Sequence, residues 1–147
     1  MEQLKKLRNL PVSTLMTRDV VTVKGSQTVA TAIEIMKKHK VSSLLVEPRN
    51  SEDTYGIITE KDILEKVIDP GNEVHKDPWN TQIHTVMSKP LVHIEHDLRV
   101  KYAIRLMRRI GIRRAPVMQN GKMIGMISHT DILHAVENLS GSDEVAL

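Results

Sequence analysis

The stretch GIITEKDIL at residues 56–64 returns in altered form as GMISHTDIL at residues 125–133. Upstream of both, apolar residues pair at a constant offset, so that Met16 matches Met87 and Val29 matches Val100. The offset shortens slightly before residue 56, where the first copy carries a longer loop. A repeat of this length is too long for a solenoid unit and indicates a duplicated small domain.

Composition limits the core and the chemistry of such a pair. The 147 residues include no Phe, one Trp and two Tyr although 40% are hydrophobic, so Val, Ile, Leu and Met must fill the interior. The absence of Cys excludes a disulfide framework, a thiolate metal site and a cysteine nucleophile. No apolar run approaches the roughly 20 residues that span a bilayer, and the first residues lack a signal-peptide core. We therefore expect a cytoplasmic protein without membrane contact.

Each copy is expected to fold as β-α-β-β-α, which makes the fold class α+β. Hydrophobic periodicity and turn residues define the elements. In the first and second copy respectively, they are strands at 20–23 and 91–94, helices at 28–39 and 99–110, strands at 42–47 and 115–119, strands at 55–58 and 122–127, and closing helices from Glu60 and from His129. Asn120-Gly121 is a strong two-residue hairpin turn, which a polar loop at 48–54 replaces in the first copy.

The chain is expected to divide into two domains with short segments around them. These are an N-terminal segment at 1–10, a first domain at 11–68, a linker at 69–82, a second domain at 83–139 and a flexible tail at 140–147. Pro and polar residues mark the linker. The N-terminal segment can form a short amphipathic helix through Leu4, Leu7 and Leu10.

Apolar stripes on the two long helices predict which side chains face the core. They are spaced i, i+3, i+4, i+7 and comprise Val29, Ala32, Ile33 and Met36 in the first copy and Val100, Ala103, Ile104 and Met107 in the second. Leu106 and Ile110 lie off the second stripe, and Ile35 matches Leu106 in the first copy. Such a flank needs cover, either from a second molecule in a homodimer or from the N-terminal segment of the same chain.

The repeated elements resemble a tandem pair of cystathionine-β-synthase (CBS) domains, often called a Bateman module. The resemblance rests on Met-Thr or Met-Ser, a short strand, an Ala-Ile-x-x-Met helix, a second strand and a Gly-h-h-Thr/Ser-x-x-Asp-Ile-Leu run (h, apolar), all present twice over about residues 11–139. It implies two repeats packed through their sheets with pseudo-twofold symmetry. It also implies a stand-alone sensing module whose clefts bind AMP, ADP, ATP or an S-adenosylmethionine-like ligand.

Thr59 with Asp62, and Ser128 with Asp131, stand at the two strand-to-helix junctions. The resemblance implies that each Asp accepts hydrogen bonds from ribose hydroxyls and that the Thr or Ser hydroxyl lies near phosphate. A helix N-terminus also offers free backbone amides to an anion. The alternative is that each pair only caps its helix, as Ser/Thr-x-x-acid sequences do. The two roles are compatible.

Arg113 and Arg114 follow the predicted end of the second long helix. In nucleotide-binding members of the family that this chain resembles, basic residues at these positions hold phosphates, and guanidinium groups suit phosphate oxygens. The matching residues of the first copy are Ser42 and Ser43. We therefore expect two clefts that differ in positive charge. The alternative is that both arginines are surface residues at the edge of a strand.

Weaker candidates precede the first strand of each copy. The family uses this segment to line the base pocket, which points to Thr17 and Ser88 with their basic neighbours, Arg18 and Lys89. Val21 and Val92 could contact an adenine face, although burial in the core explains them equally well.

Neither a catalytic nor a metal site is expected, and no cofactor is required beyond the regulatory nucleotide. His93-x-x-His96 spans a strand and a turn, and nucleophile and phosphate-loop motifs are absent. The formal net charge is +3, and the block from Arg99 to Arg114 holds seven basic residues and no acidic one. Two alternatives remain. One is a nucleic-acid binder using this block, although the block lacks the aromatic stacking platforms expected for single strands. The other is a structural dimerisation module with empty clefts. An effector protein is a further possible partner.

Overall fold

Two three-stranded sheets with helices beside them form the structure, a computed structural model that describes residues 1–71, 76–89 and 92–139. The α+β class is confirmed. In chain order the elements are α1 (Glu2–Arg8), a 3-10 turn (Val12–Thr14), β1 (Thr22–Val23), α2 (Val29–His39), β2 (Ser43–Val46), β3 (Gly56–Thr59), α3 (Glu60–Ile63) continued by a π-helical segment (Leu64–Ile68), a 3-10 turn (Ile83–Thr85), β4 (Ile94–Glu95), α4 (Val100–Ile110), β5 (Arg114–Gln119), β6 (Lys122–Ser128) and α5 (His129–Glu137).

The two sheets have the same topology. β1 lies parallel to β2, which pairs antiparallel with β3, and β4, β5 and β6 repeat this arrangement. The β-α-β-β-α order predicted for each copy is therefore confirmed. The first strands are shorter than expected, since β1 begins at Thr22 and β4 includes only Ile94 and Glu95.

The chain folds into two compact units. The first unit is Val20–Leu91, and the second combines Met1–Asp19 with Val92–Leu147. Residues 11–19, which belong to the first repeat by sequence, therefore pack with the strands of the second repeat. In the same way, the described residues 83–89 pack with the strands of the first.

Local chemistry explains where most of the elements begin and end. Thr28 caps α2 by accepting the backbone N–H of Thr31 at 3.2 Å, and Gly111 ends α4 with a φ of 82°. Asn120 and Gly121 both have positive φ, of 53° and 76°, as a type I′ hairpin requires. The predicted turn is therefore confirmed. The predicted linker lies partly, and the tail at 140–147 wholly, outside the described residues.

The core of the second unit corrects the expectation of an open flank on α4. Leu106 is half-buried against this core instead of facing outward. Helix α1 contacts both α4 and α5, and its Leu7 is buried in the same core, against which Leu10 also packs. The N-terminal segment thus contributes to the cover that Leu106 needs, and only Ile110, 44% exposed, stays open.

The core of the first unit corrects one position of the predicted stripe. Val29, Ala32 and Met36 are buried, but Ile33 is 40% exposed and Ile35 packs against the core in its place. The buried direction lies between Ala32 and Met36, so Ile33 is turned from it by about a quarter of a helical turn. The i, i+3, i+4, i+7 pattern does not distinguish these two neighbours.

Candidate functional site

Both Thr/Ser-x-x-Asp runs form complete capping boxes. The backbone N–H and the hydroxyl of Thr59 each donate to Oδ2 of Asp62 at 3.0 Å, and the N–H of Asp62 donates to the Thr59 hydroxyl at 3.1 Å. Ser128 and Asp131 repeat these bonds at 2.9, 2.9 and 3.2 Å. The capping role is confirmed, and it fixes each carboxylate at a helix N-terminus with Oδ1 turned to other partners.

In the second unit the structure brings three of the predicted site residues together. The hydroxyl of Thr17 donates to Oδ1 of Asp131 at 2.8 Å. The backbone of Thr17 also forms two hydrogen bonds with Met126 of β6, at 2.8 and 2.9 Å. Thr17 therefore joins Ser128 and Asp131, although it comes from the other repeat.

Asp62 has a different neighbour in the first unit. Ser88 pairs with Ile57 through its backbone as Thr17 pairs with Met126, but Oδ1 of Asp62 lies 3.2 Å from Nζ of Lys66. That ammonium group also donates to the backbone oxygen of Val86 at 3.0 Å. Sequence reasoning missed Lys66, although its i, i+4 spacing from Asp62 is the signal of a helical ion pair.

Arg113 and Arg114 lie beside the first turn of α5. Arg114 is the register partner of Ser128, and the backbone oxygen of Arg113 accepts the N–H of His129 at 3.0 Å. Ser43 pairs with Thr59 in the same way in the first unit. Neither guanidinium pairs with a carboxylate among the described residues. In the second unit alone, the backbone positions next to the Asp-bearing helix are thus held by two arginines.

Gly56 and Gly125 begin the two repeated runs because other segments of the chain approach their backbones closely. A Cβ on Gly125 would lie 2.7 Å from both Sδ of Met16 and the backbone oxygen of Thr17. A Cβ on Gly56 would lie 2.8 Å from Sδ of Met87 and 3.3 Å from the backbone oxygen of Ser88. The glycine that begins each run and the Met-Thr/Ser segment of the motif therefore pack against each other.

Comparison with known proteins agrees with this geometry. The CBS domain pattern matches residues 12–69 and again residues 83–138. The chain belongs to the CBS domain family. An uncharacterised protein of Methanopyrus kandleri is 37% identical over 131 residues, which are 86% of this CBS pair and 63% of that protein. The mitochondrial CBS domain-containing protein CBSX3 of Arabidopsis thaliana is 34% identical over 112 residues, 74% of this chain and 52% of that one. The CBS pair thus spans about half to two thirds of these relatives.

Solved structures show the same fold. The hexameric CBS-CP12 protein from bloom-forming cyanobacteria has a TM-score of 0.77 at 41% identity, covering 94% of this chain and 77% of its own. An uncharacterised conserved protein from Pyrococcus horikoshii has a TM-score of 0.76 at 25% identity, covering 90% and 96%. The chain is thus a CBS-pair module, a kind of protein that is in general regulatory rather than catalytic.

The remaining candidates of the CBS pair are placed less favourably. The ammonium group of Lys89 lies 2.6 Å from Oδ1 of Asp53 and donates to the backbone oxygen of Thr54 at 3.1 Å, which weighs against a phosphate role. Val21 is half-buried against the core of the first unit, whereas Val92 is 37% exposed. Val92 is therefore more accessible to an adenine base than Val21.

The described residues give no support for a metal site or for a membrane-spanning helix. Within 1–71, 76–89 and 92–139, no group of three or more His, Asp or Glu side chains is placed to hold a metal ion. None of the helices in this part of the chain is both long and apolar enough to cross a membrane.

Asp53→Asn is expected to destabilise the CBS pair near neutral pH and to have less effect in acid. The backbone N–H of Arg49 and the Lys89 ammonium hold the pKa of Asp53 well below its usual range. Because the folded-state pKa is depressed, the stabilisation is complete above the unfolded value of about 4 and disappears as pH falls through the folded value. Urea midpoints at pH 7 and pH 3 measure the difference. Glu52→Gln, in the same loop, is the control, and an equal loss at both pH values would contradict this expectation.

Proposed function

We propose that this CBS pair is a regulatory module that senses an adenosine-containing ligand such as AMP, ADP, ATP or S-adenosylmethionine. The observation that supports it best is the cluster at the start of α5. There Ser128 and Thr17 orient the carboxylate of Asp131, and two arginines without carboxylate partners among the described residues lie beside it. A carboxylate suits a ribose diol, and guanidinium groups with helix amides suit phosphate.

The roles that we assign to the side chains are those that the resemblance to nucleotide-binding CBS pairs implies. Asp131 in the second unit and Asp62 in the first accept ribose hydroxyls, while Ser128 and Thr59 lie near the first phosphate. In the second unit the phosphates are held by Arg113 and Arg114, and the base is lined by the segments around Thr17 and Val92. In the first unit the base is lined by the segments around Val21 and Ser88.

The two sites differ in the hydrogen-bond donor that the ribose must displace from the aspartate carboxylate. An ionised carboxylate has about four acceptor positions, and Asp131 already uses three of them. A diol can use the open position on Oδ1 and the one that Thr17 vacates by turning its hydroxyl away. At Asp62 the competing donor is the Lys66 ammonium, a stronger, charge-assisted partner. We therefore assign the tighter site to the second unit.

Adenine nucleotides are expected to raise the melting temperature of the CBS pair, with guanine and pyrimidine nucleotides raising it less. A ligand that binds only the folded chain adds about 2.7 kcal/mol to the free energy of unfolding when its concentration is 100 times its dissociation constant. Thermal unfolding with AMP, ATP, S-adenosylmethionine, GMP and UMP makes the comparison. The proposal fails if no adenosine compound shifts the midpoint at millimolar concentration.

We also propose that the chain self-associates through an apolar groove on the first unit. The groove, of about 610 Å³, is lined by Ile33, Leu64 and Ile68, which are 40%, 58% and 55% exposed, with Lys37 and Glu60 among its charged neighbours. We propose this groove as the surface for self-association in place of the Leu106 flank expected from the sequence. The CBS-CP12 relative, at 41% identity, forms a hexamer, which supports assembly of this chain as a homodimer or larger.

Replacing Ile33 and Leu64 together by Glu is expected to reduce the molecular mass in solution to that of one chain, 16.6 kDa. Buried carboxylates would oppose an apolar interface strongly. Multi-angle light scattering at tens of micromolar measures the mass. Lys38→Glu, on the same helix but outside the groove, is the control and should leave the parent mass unchanged. A parent mass already equal to one chain would contradict self-association.

A further inference from the structure

The outer face of α4 carries a row of cations that the capping boxes do not use. Arg105, Arg108 and Arg109 are exposed, and Lys101 is half-buried. None of the four pairs with a carboxylate of the residues that the structure describes. At 3.6 residues per turn, these positions and Tyr102 span about 120° of the helix surface. Such an uncompensated positive face attracts an anionic partner.

The first copy shows that the fold does not require the complete row of cations. Helix α2 occupies the equivalent place and buries the matching side chains, Val29, Ala32 and Met36. Its outer face keeps cations at two of the four positions, Lys37 and Lys38, but has Ala30 where α4 has Lys101, and Glu34 where α4 has Arg105. The complete row of four cations with no acidic residue among them is therefore a property of the second copy alone, which indicates a role other than stability.

The surroundings of the row favour a protein over a nucleic acid. Lys101 and Arg105 lie 5.1 and 5.3 Å from the centre of the Tyr102 ring, so the chain's own cations already occupy this aromatic side chain. The remaining aromatic residues of the chain, Tyr55 and Trp79, lie in the first unit. Nucleic-acid binding without base-stacking side chains would depend on charge alone. Ile110, 44% exposed, adds an apolar contact at the end of α4.

We propose that the outer face of α4 is a docking surface for an acidic amphipathic helix of a partner protein. Arg105 and Arg109 lie one turn apart, about 6 Å along the axis, which matches carboxylates at positions i and i+4 of the partner. Apolar side chains of the same helix would lie on Ile110. This surface gives the module an effector contact separate from the ligand sites, and its existence does not depend on nucleotide binding.

Fluorescence anisotropy with a defined peptide tests the proposal on the full chain. The probe is a labelled 14-residue helical peptide with Leu along one face and Glu at i, i+4 positions on the next. We expect a dissociation constant of about 100 µM or below, which corresponds to a modest protein–peptide interface. Arg109→Glu should weaken binding about tenfold, because it replaces an attraction with a repulsion. Higher salt should weaken binding as well.

Matched controls separate a docking surface from general charge attraction. Lys38→Glu makes the same charge change at the equivalent position of α2 and should alter binding less than about twofold. The same peptide with Gln in place of Glu should bind at least about tenfold more weakly. Equal losses for Arg109→Glu and Lys38→Glu, or no binding of the Glu peptide, would overturn the proposal. Tighter binding of a 14-nucleotide oligouridylate, with the same dependence on Arg109, would overturn it in favour of nucleic acid.

Discussion

Gly125→Ala is expected to lower the free energy of unfolding by about 2–3 kcal/mol, as overpacking in a well-filled interior does. The added methyl group would lie 2.7 Å from the backbone oxygen of Thr17, which accepts the N–H of Met126 at 2.9 Å. That oxygen cannot move without breaking this pairing and withdrawing the Thr17 hydroxyl from Asp131. The substitution should therefore damage both the stability of the second unit and its ligand site.

Gly56→Ala is the matched control at the equivalent position. Its nearest contact would be the Met87 side chain at 2.8 Å, which can swing aside, whereas the backbone oxygen of Ser88 is 3.3 Å away. We expect the free energy of unfolding to fall by about 1 kcal/mol, which is at the lower end of the range for overpacking. Denaturant unfolding of both variants gives the comparison. A larger loss for Gly56→Ala, or no loss for either, would show that the two close contacts are not the reason for the glycines.

Asp131→Ala is expected both to destabilise the chain by about 1–2 kcal/mol and to abolish nucleotide binding in the second unit. The stability loss follows from the capping box, because the carboxylate accepts the N–H and hydroxyl of Ser128. The binding loss follows from its proposed contact with ribose. Asp62→Ala should have the same two effects in the first unit.

Thr28→Ala distinguishes the capping effect from the binding effect. Thr28 caps α2 through one hydrogen bond of 3.2 Å and belongs to neither proposed site. Its replacement should lower the melting temperature comparably while leaving nucleotide affinity unchanged. A loss of binding in this variant would mean that general destabilisation, rather than a missing carboxylate, reduces binding.

The elements that depend on short-range chemistry could be predicted from the sequence. The capping boxes at Thr59 and Ser128 need residues three positions apart, and the hairpin at Asn120-Gly121 needs two neighbours of positive φ. The order of strands and helices follows from the same kind of local pattern, repeated twice. The helix starts at Val29 and Val100 accordingly fall within one residue of the predicted positions.

The contacts that depend on distant parts of the chain could not be predicted in this way. Thr17 and Asp131 are 114 positions apart, and no periodicity indicates that the first segment of one repeat packs in the unit of the other. The signal that was present is steric. A glycine begins each repeated run, and a glycine in a predicted strand implies close approach of another backbone, but the sequence does not say which backbone.

Calorimetric titration of AMP into the parent chain and the two aspartate variants tests the central claim most directly. We expect two sites in the parent, with the tighter one absent from Asp131→Ala, the weaker one absent from Asp62→Ala, and no binding when both are replaced. If both single variants instead bind AMP with the stoichiometry and affinity of the parent and only melt earlier, the carboxylates are helix caps and the adenosine-sensing role is contradicted.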